Sequence, residues 1–473
     1  MDAKQERRKP YLYESILSFG FLIFVMAIGI AKYGVDPHVP MLIGTAFAAV
    51  IAVKIGYSWT EIEKSMFDGI YQALQAVVIL AIIGVLIGVW LQAGVVPSMI
   101  YYGLSILRPK IFLVATLLIC SITSLATGTS WGTVGTVGLA LMGIATGLGI
   151  PAPIAAGAII SGAYFGDKLS PLSDTTNLAP AVSGTDVFTH VKFMLQSTVI
   201  VYVICIILYL FLGFKYVSSS ADMSSILEIK EGLASTFNIS PFLLIPPLAV
   251  IVSIAFKVPA IPGITIGILL GIIEAFIFQG ATFGQILTAS YGGFVSETGL
   301  EAIDELLTAG GLEGMMYSIS LTIIAMMFGG IMEKTGQLEV IVEVILRKIK
   351  SATGLITMTV ATCIFSNATM PEQYISIVVP GRMYTRTYKE KGLHPKTLSN
   401  VLESAGTVTS ALIPWNTCGV FMTGILGIST LQYGKWAFFN YLMPLAVILL
   451  SIPGWTVAKI EDDPDTVIET TSL

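Results

Sequence analysis

Apolar residues run along this chain in long blocks separated by short polar stretches, near 12–31, 40–57, 73–92, 111–147, 152–190, 193–214, 240–257, 260–278, 314–332, 352–380, 397–432 and 436–457. A block of about 20 apolar residues has the length of a membrane-crossing helix. Several blocks are too long, or too interrupted, to be one straight helix. The pattern predicts an all-α polytopic membrane protein. Segment 215–239, with Tyr216, Ser218, Ser219, Ser220, Asp222, Glu228, Lys230 and Glu231, is the most hydrophilic interior stretch. It reads as a polar linker between two halves, 11–214 and 240–457. Residues 1–10 read as a cytoplasmic tail, and 458–473, acidic and Thr-rich from Glu461, as a disordered C-terminal tail with nothing to bury.

The halves resemble one another. A shift of 242 positions superposes residues 84–180 on 326–422 without a gap, placing Gly88 on Gly330 and Gly94 on Gly336. Ser124-Leu125-Ala126-Thr127 then falls on Ser366-Asn367-Ala368-Thr369, Pro153 on Pro395, Ala163 on Ala405, and Asp174-Thr175 on Asn416-Thr417. The identities are few, but small polar residues are rare in membrane segments and here they coincide. If 111–147 and 352–380 are re-entrant hairpins with the Ser–Thr quartets near their tips, each half has five crossings and one hairpin. An odd number of crossings makes the second half an inverted repeat of the first. The charges agree: Arg108 and Lys110 flank the first hairpin, against Arg347, Lys348, Lys350, Arg382, Arg386, Lys389, Lys391 and Lys396 around the second. The positive-inside rule puts the second set in the cytoplasm, as does counting crossings from the basic N-terminus (Lys4, Arg7, Arg8, Lys9). Inverted repeats with broken helices are the design of secondary transporters, with the site at the repeat interface.

Composition removes other classes. Of 473 residues, 55% are hydrophobic and 12% charged, with a mean hydropathy of +0.83; soluble domains carry roughly 25% charged residues. A net charge of −5, with the cations in short loops, argues against nucleic-acid binding. Cys120, Cys205, Cys363 and Cys418 lie in apolar segments without CxxC spacing and read as core residues. Three scattered histidines and no HExxH leave an enzyme without a catalytic cluster. No nucleotide-binding loop of the G-x-x-x-x-G-K-[ST] type is present, so no cofactor is expected beyond the transported ions.

The strongest candidate site is Gly162–Asn177, GAYFGDKLSPLSDTTN, where an apolar helix is interrupted by polar residues and proline near the membrane centre. Acids at that depth are functional candidates by default, and carboxylate, hydroxyl and carbonyl oxygens suit a small hard cation. Asp167, Ser173, Asp174, Thr175, Thr176 and Asn177 are therefore expected to bind ion and proton, with Asn416 and Thr417 as second-half counterparts and Na+ at Asp174 and Thr175. A blander reading has Asp174 capping the second half-helix and Asp167 pairing with Lys168. Thr127, Thr129 and Ser130, and opposite them Ser366, Asn367, Thr369 and Glu372, are candidate tip and substrate contacts. Glu403, at the position equivalent to Ser161, is a candidate proton relay. Glu403 and Glu274 also read as neutral acids hydrogen-bonded to a neighbouring helix, with a proton relay as Glu274's other reading; Glu333 with Lys334 reads as an interfacial ion pair, and His190 as a helix-end cap or a pH sensor.

The run GDKLSPLSDTTNLAPAVSGTDVFTH, with TGTSWGTVG at 127–135, closely resembles the signature of the NhaC family of Na+/H+ antiporters, and the likeness extends along nearly the whole chain. The resemblance implies exchange of Na+ for H+ across a bacterial plasma membrane. Family members similar in these motifs instead exchange organic acids such as malate and lactate, or amino acids, so a small organic solute stays open as a further partner beside the lipid bilayer. Monomer and homodimer are equally compatible with the sequence. The expected mechanism is competition of Na+ and H+ for shared carboxylates, converted to exchange by alternating access.

Overall fold

The computed structural model describes residues 8–460 apart from 218–222, 257, 298–303, 305–306, 338 and 341–350. Lys4, Arg7, the loop cations Arg347, Lys348 and Lys350, and the tail from Glu461 lie outside the described residues. Every regular element among the described residues is helical, and the only bridges are isolated, Phe294 with Ala309 and Leu393 with Lys459.

In chain order the principal helices are α1 (Leu12–Ala27), α2 (His38–Ile55), α3 (Trp59–Gln72), α4 (Leu74–Gln92), α5 (Val95–Ile106), α6 (Phe112–Thr127), α7 (Ser130–Thr133), α8 (Leu139–Gly147), α9 (Ala152–Leu169), α10 (Asp174–Ser183) and α11 (Val187–Val217). There follow α12 (Met223–Thr236), α13 (Ile245–Ala255), α14 (Ala260–Gln279), α15 (Phe283–Gly292), α16 (Met316–Lys334), α17 (Ala352–Thr369), α18 (Ile375–Glu390), α19 (Pro395–Leu402), α20 (Thr417–Leu426) and α21 (Phe438–Ser451). Among the described residues seven helices are long and apolar enough to cross a membrane, and α12 with the segment Pro241–Ser253 makes an eighth that bends by 99°. The protein is thus a multi-pass, all-helical membrane protein. The sequence predicts about ten crossings; the difference arises because the broken helices α9/α10 and α19/α20 are assembled from pieces, several of them shorter than a full span.

Two differences concern the segments read as polar tails and linkers. Residues 223–236 form a helix, because Leu233 and Phe237, one turn apart, are buried on its inner side while Glu228 and Glu231 face out. The C-terminal segment stays packed through residue 460: Ala458 exchanges hydrogen bonds with Thr397, and the Ile460 N–H donates to the Gly392 carbonyl at 3.0 Å.

The 242-residue shift reappears in the helix ends. It carries α4 onto α16 end for end, and the last residue of α6, Thr127, onto the last of α17, Thr369. Both hairpins turn back on themselves. Tyr384 and Tyr388 of α18 hydrogen-bond to Thr362 and Thr359 of α17 at 2.7 and 3.0 Å, the crossed order of an antiparallel pair. In the first half, Gly147 at the end of α8 packs on Leu104, eight residues before α6 begins.

Packing gathers the helices into two groups, each drawing on both halves. In one, α16 lies against α2 and α3, while α4 packs on α14 and α15. In the other, α6 packs on α9, α17 on α18, α18 and α19 on α10, and α21 on α9 and α11. The α6–α9 contact is the most extensive. Gly162 and Gly166 sit on one face of α9, and a Cβ on either would stand 2.4 Å from a backbone carbonyl of α6, Leu117 or Ser121 respectively. Small residues four apart let helices approach in a membrane, where packing replaces the hydrophobic effect as the driving force. Gly166→Val should therefore force α6 away and lower stability by about 1–3 kcal/mol, read as a drop in the thermal midpoint of the purified protein in detergent. An unchanged midpoint would contradict this packing.

Candidate functional site

The α9/α10 break and the two hairpin tips meet around one cavity of about 180 Å³. The first tip brings Gly128–Gly132, the α9/α10 break brings Asp167, Ser173, Asp174 and Thr175, the second tip brings Glu372, Gln373 and Tyr374, and Gln72, Gln75 and Ile79 close it from the corner of α3 and α4. Local sequence sets each edge. Gly128 ends α6 in the left-handed region (φ 71), and a Cβ there would lie 2.7 Å from the Leu172 backbone, so only glycine lets tip and break touch. Thr129 caps α7 by accepting from the Gly132 N–H at 3.2 Å, and Ser173 caps α10 by accepting from the Thr176 N–H at 3.4 Å.

The two aspartates differ in their bonding. One oxygen of Asp167 accepts from the Ser130 hydroxyl at 2.6 Å and from the Ser130 N–H at 3.1 Å, and the residue is only 5% exposed. Asp174 stands at the first position of α10, open to the cavity, with no hydrogen bond or ion pair among the described residues. The cap is Ser173, so the Asp174 carboxylate is available to a ligand. Thr175 touches the Ser173 hydroxyl at 3.1 Å and donates to Glu403 Oε1 at 3.2 Å, which ties the cavity wall to α19 of the other half. Thr176 donates to the carbonyls of Asp167 and Lys168 at 3.0 and 3.1 Å, and the Asn177 amide donates to Pro171 and Ser173 carbonyls. These two residues satisfy carbonyls freed by the break, which sets its shape, and they do not line the cavity.

Lys168 does not pair with Asp167. Its fully buried ammonium donates to Ser404 Oγ at 2.9 Å and approaches Met194 Sδ at 3.3 Å. Adjacent residues on a helix point in different directions, so the two opposite charges leave on different faces of α9.

In the second half, the Glu372 carboxylate accepts from the backbone N–H groups of Tyr374 and Ile375 at 2.7 and 3.3 Å, at the cavity edge. Asn416 caps α20 through the Cys418 N–H at 3.0 Å and donates to Asn367, whose own amide donates to the Gly406 carbonyl at 2.7 Å. Thr127 and Thr369 bond back to their own helices, and the Ser366 and Thr417 hydroxyls are buried without a partner. Of the residues singled out in the sequence, the fold therefore brings Thr129, Ser130, Asp167, Ser173, Asp174, Thr175 and Glu372 to the cavity, with Glu403 just behind Thr175. Thr127, Thr176, Asn177, Ser366, Asn367, Thr369, Asn416 and Thr417 lie off it. Sequence reasoning passed over Gln72, Gln75 and Tyr374, and took Lys168 only as a neighbour of Asp167. Trp131, beside Ser130, stacks on Phe421 of α20 at 4.1 Å, joining the first tip to the second broken helix.

Broken helices, paired hairpin tips and acidic groups around a central cavity define a polytopic membrane transporter. Residues 162–455 match the model of the Na+/H+ antiporter family. Over 449 residues, 95% of each chain, the sequence is 41% identical to a protein of Bacillus subtilis (strain 168) named malate-2H(+)/Na(+)-lactate antiporter. It is 40% identical to the Na(+)/H(+) antiporter NhaC of Alkalihalophilus pseudofirmus, over 94% of this chain and 96% of that one. Its identity to the arginine/ornithine antiporter ArcD of Halobacterium salinarum is 38%, over 95% and 93% of the two chains. The chain belongs to the NhaC family of Na+/H+ antiporters.

Proposed function

We propose that the protein exchanges Na+ for H+ across the bacterial plasma membrane, its N-terminus in the cytoplasm and its halves related as inverted repeats. The observation that carries this reading is Asp174, a carboxylate facing the cavity with no partner among the described residues, beside Thr175 and the Ser130-bound Asp167. Na+ would sit against Asp174 and the Thr175 hydroxyl, hard oxygen ligands of the kind it prefers. When these carboxylates bind protons instead, the cation leaves, so one site serves two ions in turn. Glu403, hydrogen-bonded to Thr175, takes or returns the proton from behind the cavity wall.

A second reading has one observation in its favour. The cavity of about 180 Å³ is far larger than a bare cation, and Gln72, Gln75, Gln373 and Tyr374 offer it amide and hydroxyl groups. A small organic acid or amino acid fits that chemistry, as the names of two of the relatives suggest. Proteoliposomes carrying an internal pH dye separate the readings. Proton movement on adding NaCl alone is the expected result for Na+/H+ exchange. Movement that appears only with an added carboxylate solute would replace it with the coupled exchanger, and silence under every condition would remove both.

A further inference from the structure

Behind the cavity, buried polar side chains continue away from the ion-binding residues toward the opposite end of α19. Ser399, Asn400, Glu403, Ser404 and Thr407 recur at the spacing of one helical face, and each is fully buried. The face includes a π-helical turn, Glu403–Thr407; such widened turns are frequent at functional sites. Across from it, His190 of α11 is fully buried, with Nδ1 at 2.8 Å from Ser399 Oγ, and Lys168 reaches Ser404, which in turn donates to Asn400 Oδ1 at 3.1 Å. Among the described residues four atoms here have no close hydrogen-bond partner: His190 Nε2, Asn400 Nδ2, and Glu403 Oε2 and Thr407 Oγ1, which face one another. Leaving a buried polar atom without a partner forfeits its hydration with nothing in return, so four in one region of a packed protein require an explanation. Buried waters, each bridging two to four polar groups, are the usual one.

We propose that His190, Ser399, Asn400, Ser404 and Lys168 line a water-bridged proton path that reaches Glu403 from the face bearing the basic loop, separate from the cavity through which Na+ enters. The inference rests on the exchange reading above and gives its proton a route. The outer end lies one turn before His190, where Asp186 is exposed and accepts from Thr189 N–H at 2.9 Å. Hydrogen bonds from Thr189 hold the Asp186 carboxyl below its usual range, so it stays ionised and draws protons to the mouth. The charged groups facing the path are Asp186 and His190 on the α11 side, Lys168 and Asp167 from α9, and Glu403 at its inner end. A proton delivered along the path converts the Glu403 carboxylate to the neutral acid; the reverse step returns it, with no other bond made or broken. Thr175 then couples that change to the cavity by the one hydrogen bond that crosses the wall.

The test compares two readouts on the same proteoliposomes: exchange of radioactive Na+ for unlabelled Na+ at equal pH, which needs no proton, and dye-reported proton flux driven by a NaCl gradient. Asn400→Leu keeps volume while removing the central polar link, and should slow proton flux by about tenfold or more while Na+/Na+ exchange stays near native. His190→Leu, which removes the hydrogen bond to Ser399 at the outer end, should slow proton flux in the same way, and His190→Gln, which can keep that bond, should recover part of it; no loss in His190→Leu would take His190 out of the path. Equal loss of both activities in Asn400→Leu would show a merely structural role, and unaltered proton flux would show another route; either overturns the path. If the native protein exchanges Na+ but moves no proton with it, the exchange reading falls first and the path with it.

Discussion

Asp174→Asn should abolish Na+-driven proton flux while leaving the protein as stable as the native chain. The amide keeps the size of the carboxylate but cannot bind a proton in its place. Loss of one charged contact, worth roughly 1.5–3 kcal/mol, lowers Na+ affinity by about 10- to 100-fold. Stability is spared because Asp174 makes no hydrogen bond or ion pair among the described residues, so nothing internal is broken. Asp167→Asn is the contrasting case: its carboxylate holds the Ser130 N–H and hydroxyl, and the variant should lose thermal stability as well as transport. Proton flux and the thermal midpoint in detergent, measured side by side, distinguish the two. Native-like flux in Asp174→Asn would remove this residue from the ion site.

The second large effect concerns Lys168 and Glu403. Both are fully buried and electrostatically linked where α9 meets the turn after α19, yet no direct ion pair joins them: Lys168 donates to Ser404 and Thr175 donates to one Glu403 oxygen, Oε1. Removing either charge leaves the other buried and uncompensated, which costs ~3–5 kcal/mol, whereas replacing both by neutral groups of similar volume is often close to neutral. Lys168→Met and Glu403→Gln should each destabilise strongly, and the double mutant should recover much of that loss without recovering proton coupling. Chemical unfolding of the four proteins closes the cycle. Additive losses would mean that the two charges do not compensate one another.

Much of the fold could be read from the sequence, because a bilayer permits few solutions: the apolar blocks marked the helices, and under the 242-residue shift the ends of α4 fall on those of α16. The broken helix at 170–173 was legible for the same reason, since Pro171 and the hydroxyls could not continue α9. Individual roles were harder to see. Whether Ser173 or Asp174 caps α10 depends on a rotation of one residue, which sequence spacing does not encode. The Ser124–Thr127 quartet lies at the end of α6, where its chemistry is packing: Ser124 donates to the Ala163 carbonyl in the α6–α9 contact, and the residues facing the cavity are those just past the left-handed Gly128. Asn416 matched Asp174 by alignment, yet an amide both donates and accepts, and its bonds to Asn367 and Cys418 turn it into a brace. Gln72 and Gln75 carry no local signal at all, because only the packing of α4 brings their corner to the breaks.

The division of the helices into two groups has a bearing on how such a chain could fold. Helix α4 is covered by α14 and α15, and α16 by α2 and α3, so each half lays its early helices against those of the other. The tips and breaks are interlocked in the same way, through Trp131 on Phe421 and Thr175 on Glu403. Neither half alone can cover the surfaces that the other now hides. Severed within 215–239, the two fragments would have to be made together to yield a working molecule.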